Sequence, residues 1–122
     1  GKLTHINYAF AHVDANHRIS VGENVPGNAA TDMSWPGVAG AELDPSLPYK
    51  GHFNLLTKYK RQYPNVRTLI SVGGWAETGG YFDAAGNRVN SGGFYSMTIT
   101  ADGSINQAGI DAFADSSVAF LR

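Results

Sequence analysis

The run LISVGGW at residues 69–75 constrains the fold of this chain more than any other part of its sequence. Its first four residues are apolar apart from Ser71, which is typical of a strand buried on both faces in a parallel sheet. Two glycines and a tryptophan follow, and glycines there leave room for another body to approach the backbone. Parallel sheets bind ligands at the carboxyl ends of their strands. A ligand site is therefore indicated, although a satisfied core serine and a tight turn would explain the same residues.

The rest of the chain repeats an alternation of strand and helix. Residues 3–13 (LTHINYAFAHV) are apolar, aromatic or β-branched without a breaker, and predict a first strand. Residues 51–63 have apolar positions at helical spacing and end before Pro64, so they predict an amphipathic helix. The second strand is expected over residues 65–75 and a second helix over residues 108–122. This order favours βαβ units and a parallel sheet, an α/β fold.

Two long segments rich in turn-forming residues separate these elements. Residues 14–50 and 76–107 contain most of the glycines and prolines and predict long loops, which in compact domains are usually functional or mobile. Trp35 lies in the first loop and looks exposed. Within the second loop, residues 94–99 (FYSMTI) favour a strand, and we expect a small hairpin through residues 93–100.

Composition excludes several classes of site. The net charge is −1, so no basic field points to nucleic acid or to an anionic membrane. The chain has no cysteine, which excludes disulfides and zinc–cysteine sites. Its four histidines lack the spacing of metal ligands on one face, and no apolar run approaches the ~20 residues of a membrane span. We expect no metal and no cofactor.

The two predicted strands are too few for a stable sheet of their own. They would leave both edges unpaired and both apolar faces uncovered. The chain also begins without Met and leads directly into a strand, and nothing terminates the last helix at Arg122. We therefore expect a segment that is incomplete at both ends, or a sheet completed by something else.

Aromatic side chains are expected around the glycines at the strand end. Tyr8 and Phe10 share one face of the first strand near its carboxyl end, and Trp75 follows the second strand. Together they would form an aromatic wall around an opening floored by Gly73 and Gly74. Aromatic faces suit the C–H face of a sugar ring, although ordinary core packing would explain these residues equally well.

Three segments resemble the family 18 glycoside hydrolases, the chitinases and their relatives. LTHINYAFAHVD (residues 3–14) and LISVGGW (residues 69–75) look like the family's second and third strands, and FADSSVAFLR (residues 113–122) resembles the helix before its catalytic strand. The resemblance implies a partial (β/α)8 barrel, with residues 1–122 carrying about the second and third strand–helix units of a single catalytic domain. It also implies chitin or chito-oligosaccharides as the substrate, the remainder of the barrel as a partner, and an extracellular location.

The family cleaves β-1,4 linkages between N-acetylglucosamine units with retention, by substrate-assisted catalysis. The N-acetyl carbonyl of the sugar attacks the anomeric carbon while a glutamic acid of a D-G-x-D-x-D-x-E pattern protonates the leaving oxygen. That pattern is absent here, since Glu77, Asp111 and Asp115 do not have its spacing. The resemblance therefore implies no catalytic residue within this chain, and we expect the 122-residue chain alone not to hydrolyse chitin.

The resemblance assigns roles to six residues around the cleft. Ser71 matches the serine that hydrogen-bonds the acidic cluster on the next strand, Phe10 the aromatic at the floor of the central sugar site, and Trp75 an aromatic beside the cleft. Gly73 and Gly74 match the family's glycines, and Tyr8 is a further candidate. The loop aromatics could extend the cleft, or simply pack beneath the loops; they are Trp35, Tyr81, Phe82, Phe94 and Tyr95.

Three alternatives remain at this point. A chitinase-like lectin would keep the barrel and bind chitin without cleaving it, and would differ from the enzyme at the catalytic acid. An unrelated small α/β binding module would have to fold alone. In a nicked or multi-chain enzyme, other chains would supply the rest of the barrel.

Overall fold

The order of elements follows the predicted alternation of strands and helices. A computed structural model of the chain describes residues 2–75, 81–82, 85–86, 88–89 and 93–122. In chain order the elements are β1 (His5–Val13), β2 (Ile19–Ser20), α1 (Gly51–Gln62), β3 (Arg67–Val72), β4 (Tyr81–Phe82), β5 (Arg88–Val89), α2 (Gly93–Thr98) and α3 (Gln107–Leu121). Both long strands and both long helices lie where the sequence predicts them. None of the described helices is long and apolar enough to cross a membrane.

Strands β1 and β3 run parallel, as predicted. β1 is the central strand of a three-stranded sheet with the order β2-β1-β3. The carbonyl of Thr4 accepts a hydrogen bond from the Arg67 N–H at 2.9 Å, and the carbonyl of Ala11 accepts one from the Gly73 N–H at 2.8 Å. Because residue numbers rise along both strands from the first bond to the second, the pair is parallel. The structure is thus mixed α/β with a small open sheet.

Strand β2 was not predicted, because the turn-forming residues throughout residues 14–50 indicate a single long loop. It pairs antiparallel with the end of β1, with His12 opposite Ser20. The carboxylate of Asp14 accepts hydrogen bonds from the N–H groups of Asn16 and Arg18, at 2.8 and 2.9 Å. A carboxylate that binds amides two and four residues ahead reverses the chain in a tight turn. The sheet is consequently mixed rather than purely parallel.

The expectation that β3 is buried on both faces is wrong for the described chain. Leu69, in the middle of the strand, is 50% exposed. A sheet of three strands, one of them only two residues long, has too few neighbours to cover both of its faces.

The chain divides into two compact units. The first comprises Gly1–Tyr8 and Gly22–Leu69, and the second comprises Ala9–Val21 and Ile70–Arg122. α1 belongs to the first unit, and α2 and α3 belong to the second.

In the first unit, backbone carbonyls of the long loop cap the start of α1. The N–H groups of residues 50–53 donate to the carbonyls of Thr31, Met33, Ala29 and Ala30, in that order, at 2.8, 2.8, 2.9 and 3.0 Å. Lys50 at the N-cap position forms no side-chain cap. The first amides of a helix need partners from outside it, and here the loop supplies them.

The approach of loop to helix is close enough to require glycine at position 51. Gly51 has φ +69°, and a Cβ there would lie 2.4 Å from the carbonyl carbon of Ala30. The other end of the loop is held by Asn54, which is only 1% exposed. Its side chain accepts the N–H of Asp44 and donates to the carbonyls of Asp44 and Tyr49, at 2.8, 2.9 and 2.8 Å. The loop is therefore tied to α1 at two places.

In the second unit, the predicted hairpin through residues 93–100 is wrong, because residues 93–98 form helix α2. Phe94 packs edge-on against Phe113 of α3, with ring centroids 5.7 Å apart. Thr98 donates its hydroxyl back to the carbonyl of Phe94 at 2.7 Å, which suits a helix. Strand propensity of aromatic and β-branched residues is weak enough for such packing to override it. The predicted loop over residues 76–107 also contains β4 and β5, which pair antiparallel.

Helix α3 begins after Asn106, whose side-chain oxygen accepts the Gly109 N–H at 3.1 Å. Ser116, near the middle of α3, is buried. Its hydroxyl accepts the N–H of Ile19 at 2.9 Å and donates to the carbonyl of Phe113 at 3.0 Å. This serine joins α3 to β2.

Candidate functional site

The end of β3 turns sharply at its two glycines. Gly73 continues the pairing with β1 through its hydrogen bond to Ala11 and has φ +91°. Gly74 follows with φ +76°. Two successive residues in this region of backbone space favour glycine strongly, because a Cβ is disfavoured there. The chain leaves the sheet at once, and Trp75 is the next residue.

Phe10 packs its ring over Gly74. A Cβ at Gly74 would lie 3.2 Å from Cε1 and Cζ of Phe10, so only glycine lets the ring lie this close to the backbone. Phe10 is 46% exposed, so much of its ring remains open to solvent. The peptide bond between Ala9 and Phe10 is cis. The structure thus brings together two of the predicted site residues, an aromatic ring and the glycine beneath it.

Trp75 presents its side chain outward and is 95% exposed. Tryptophan is enriched among the residues that carry most of the binding energy at interfaces. Ser71, four residues earlier, is half-buried in β3. Phe10, Ser71, Gly73, Gly74 and Trp75 all belong to the second unit.

Tyr8 has a different environment, which lies in the first unit. Its hydroxyl is 3.1 Å from Nδ1 of His52, within hydrogen-bond distance. Its ring lies 4.9 Å from that of Phe53, tilted by 47°. Burial raises the pKa of the Tyr8 hydroxyl. The neutral hydroxyl is therefore favoured as the partner of the imidazole.

Trp35 stacks on the imidazole of His52. Its indole and the imidazole of His52 are 4.9 Å apart and nearly coplanar, at 7°. Trp35 is half-buried, not exposed as its place in a loop suggested. His52 was considered in the sequence only as a metal ligand. The contacts of His52 depend on how the long loop folds onto α1, so the sequence around His52 does not predict them.

The acidic residues weighed as catalytic candidates lie on the surface of α3. Asp111 is exposed and accepts a hydrogen bond from the Gln107 side chain at 2.8 Å, and Asp115 is also exposed. Glu77 lies outside the described residues, as do the side chains of Tyr81 and Phe82. Over the described part of the chain, no group of three or more His, Cys, Asp or Glu side chains could hold a metal ion.

A groove of about 380 Å³ lies in the first unit, lined almost entirely by apolar atoms. Leu3 and Ile6 from the start of β1, Leu56 from α1 and Val66 from the approach to β3 contribute to its walls. These residues belong to the start of the parallel strands, whereas Gly73, Gly74 and Trp75 follow the end of β3. Enclosed polar groups, which a site for a sugar needs, are scarce in it.

Comparison with known proteins identifies the family. The model of glycosyl hydrolases family 18 matches residues 1–122. The crystal structure of a family 18 chitinase from Chromobacterium violaceum superimposes with a TM-score of 0.86; it is 79% identical, and the match covers 99% of this chain and 18% of that chain.

Curated relatives agree with this match. Chitinase C of Streptomyces lividans is 37% identical over 86 residues, which are 70% of this chain and 14% of the relative. Chitinase A1 of Niallia circulans is 30% identical over 146 aligned positions, which cover 99% of this chain and 18% of the relative. The chain therefore spans less than a fifth of the length of these relatives. The resemblance inferred from residues 3–14, 69–75 and 113–122 is confirmed: the chain belongs to glycosyl hydrolases family 18.

Proposed function

We propose that this chain is a segment of the catalytic domain of a chitinase, which hydrolyses β-1,4-linked N-acetylglucosamine polymers with retention. The segment would contribute about the second and third strand–helix units of a (β/α)8 barrel. The parallel pairing of β1 with β3 and the position of α1 between them in the chain support this arrangement. The relatives named above are chitinases, and no observation favours the lectin alternative.

The observation that carries the proposal is the packing of Phe10 on Gly74 just before an outward-facing Trp75. Phe10 lies in the second half of β1 and Trp75 follows β3, toward the side of a parallel sheet where ligands bind. Phe10 would provide an apolar ring face for the C–H face of a sugar at the central position, and Trp75 a second face beside the cleft. Gly73 and Gly74 would keep the entrance free of side chains.

Ser71 would act indirectly. In the proposed barrel its hydroxyl bonds the first carboxylate of the acidic cluster on the following strand, and so orients the cluster that ends in the catalytic acid. Tyr8 would line the cleft from β1. The residue that protonates the leaving oxygen is supplied by the remainder of the barrel, because the D-G-x-D-x-D-x-E pattern does not occur in these 122 residues.

Hydrolysis of a chito-oligosaccharide by the full-length protein that contains this segment tests the proposal. We expect cleavage, with the product first appearing as the β-anomer in an NMR time course, because substrate-assisted catalysis retains configuration. The isolated 122-residue chain should show no turnover. An initial α-anomer would disprove the mechanism, cleavage by the isolated chain would disprove its inactivity, and binding without cleavage by the full-length protein would indicate a lectin.

The partners and location follow from the substrate. Chitin is an insoluble extracellular polymer, so we propose that the protein acts outside the cell on chitin or its oligosaccharides. Neither nucleic acid nor a membrane is proposed as a partner.

A further inference from the structure

The carboxyl half of β1 has one covered face and one open face. Ala11 and Val13 are only 0% and 6% exposed, whereas Phe10 is 46% exposed and His12 is also exposed. Successive residues of a strand direct their side chains to opposite faces. Phe10 and His12 therefore share the open face of β1, and His12 lies nearer to the end of the strand.

A second polar side chain lies beside His12. The antiparallel pairing of β1 with β2 places Ser20 directly opposite His12. Residues that face each other in this way carry their side chains on the same face of the sheet, with Cβ atoms about 4.5–5.5 Å apart. An imidazole and a hydroxyl can each take part in hydrogen bonds as donor or acceptor. The open face thus combines the ring of Phe10 with two polar groups.

The neighbouring strand on the other side of β1 contributes no side chain at this level. The Gly73 N–H donates to the carbonyl of Ala11 at 2.8 Å, so Gly73 lies beside the peptide that joins Ala11 to His12. Gly74 follows, and the ring of Phe10 packs on it. All of these residues belong to the second unit. A ligand on Phe10 therefore reaches His12 along the same face without crossing a side chain of Gly73.

We propose that His12, with Ser20, binds polar groups of the substrate next to the sugar that lies on Phe10. The inference rests on the proposed function, in which Phe10 offers its ring to a sugar. An aromatic face contacts the apolar side of a sugar, and a small number of polar groups then fixes its orientation. His12 lies farther along β1 than Phe10, toward the end of the strand where parallel sheets bind ligands.

Two substitutions of His12 separate hydrogen bonding from side-chain size. His12→Leu removes both ring nitrogens and keeps a side chain of moderate size, whereas His12→Gln keeps a donor and an acceptor. In the full-length protein, we expect His12→Leu to raise KM for a soluble chito-oligosaccharide roughly three- to tenfold, the effect of one lost hydrogen bond, with kcat nearly unchanged. His12→Gln should recover most of the affinity, and both variants should melt at the wild-type temperature.

Two further variants test the pair and provide a control. Ser20→Ala removes the second polar group and should raise KM roughly two- to fivefold. His5→Leu makes the same change at another exposed histidine of β1, which belongs to the first unit, and it should leave KM unchanged. A wild-type KM in Ser20→Ala would overturn the part of the inference that concerns Ser20.

The outcomes distinguish this inference from the proposed function. An active wild type together with an unchanged KM in His12→Leu would overturn the inference alone. A raised KM that His12→Gln does not restore, with lowered melting temperatures in both variants, would also overturn it, by assigning His12 a purely structural role. A full-length wild type that neither cleaves nor binds chito-oligosaccharides would overturn the proposed function, and the inference with it.

Discussion

At the scale of single residues, a substitution of Trp75 should change substrate binding without changing stability. It is almost fully exposed, so it contributes little to packing. We expect Trp75→Ala in the full-length protein to weaken binding of long chito-oligosaccharides by about 1–3 kcal/mol, the scale of a lost aromatic contact. The melting temperature should not change. Titration calorimetry measures the affinity, and wild-type affinity in this variant would mean that Trp75 does not touch the polymer.

Ser71 should behave in the opposite way. If its hydroxyl orients the acidic cluster, Ser71→Ala should lower kcat and leave substrate affinity nearly unchanged, because no sugar contact is lost. Steady-state kinetics on a soluble chito-oligosaccharide gives both parameters. Ser71→Thr keeps the hydroxyl and serves as the matched variant. A Ser71→Ala enzyme with wild-type kcat would refute the supporting role.

How far single site residues could be predicted depends on how local their contacts are. The two glycines of residues 69–75 demand a special backbone wherever the strand ends, so their importance was visible in the sequence. The place of Phe10 above Gly74 could not be predicted, because it depends on the pairing of two strands that are far apart in the chain. The ring contacts of His52 could not be predicted from the sequence, because they form only when the long loop brings Trp35 onto the imidazole.

At the scale of elements, the start of α1 depends on glycine at position 51. A Cβ there would lie 2.4 Å from the Ala30 carbonyl carbon, so Gly51→Ala must push the loop off the helix. We expect a loss of about 3 kcal/mol or more in the free energy of unfolding. Gly37→Ala is the matched control, since Gly37 also has a positive φ, of +80°, but a Cβ would meet nothing within 4 Å.

Backbone strain alone should cost Gly37→Ala about 1–2 kcal/mol. Denaturant unfolding of the full-length protein measures the free energy of unfolding of both variants. Equal destabilisation would show that the clash with the loop does not matter.

Two adjacent serines of α3 make a second matched pair. Ser116 accepts the N–H of Ile19, and its replacement by alanine would leave that partly buried donor without this partner. We expect Ser116→Ala to cost about 1–3 kcal/mol in the free energy of unfolding. The Ser117 hydroxyl is buried and bonds no other described residue, so Ser117→Ala should be neutral or stabilising. The same unfolding assay compares them, and a neutral Ser116→Ala would mean that β2 is held by other contacts.

Helices and strands with a clear pattern of apolar residues in the sequence were predicted. Those that form only through contacts with distant residues were not. β1, α1 and α3 each follow from a long run of patterned residues, and β3 follows from a short run of apolar residues. β2 has only two residues and exists because Asp14 turns the chain back onto β1. Residues 94–99 have strand-like composition, yet the ring of Phe113 stabilises them as a helix.

At the scale of the whole molecule, the described core is small. Among described residues, the buried apolar side chains are Ala11, Val13, Ala30 and Met97, which are mostly small. Leu3, Leu69, Val118 and Leu121 are all at least half exposed. Burial of so little apolar surface offsets little of the conformational entropy lost on folding.

We therefore expect the isolated 122-residue chain to show no cooperative thermal transition. Circular dichroism at 222 nm during heating measures this directly, with the full-length protein as the control. A sharp transition of the isolated chain, at a concentration where ultracentrifugation finds a monomer, would contradict the expectation and favour an independently folding module.

The backbone cap on α1 has a kinetic consequence. The amides of residues 50–53 exchange their hydrogens with solvent only when the carbonyls of residues 29–33 move away. When the loop leaves, the first turn of α1 loses its capping hydrogen bonds at the same time. The four amides should therefore share a single free energy of opening in hydrogen exchange. His52 is one of the four, so the exchange rate of its amide reports how often the loop, with Trp35, leaves its place.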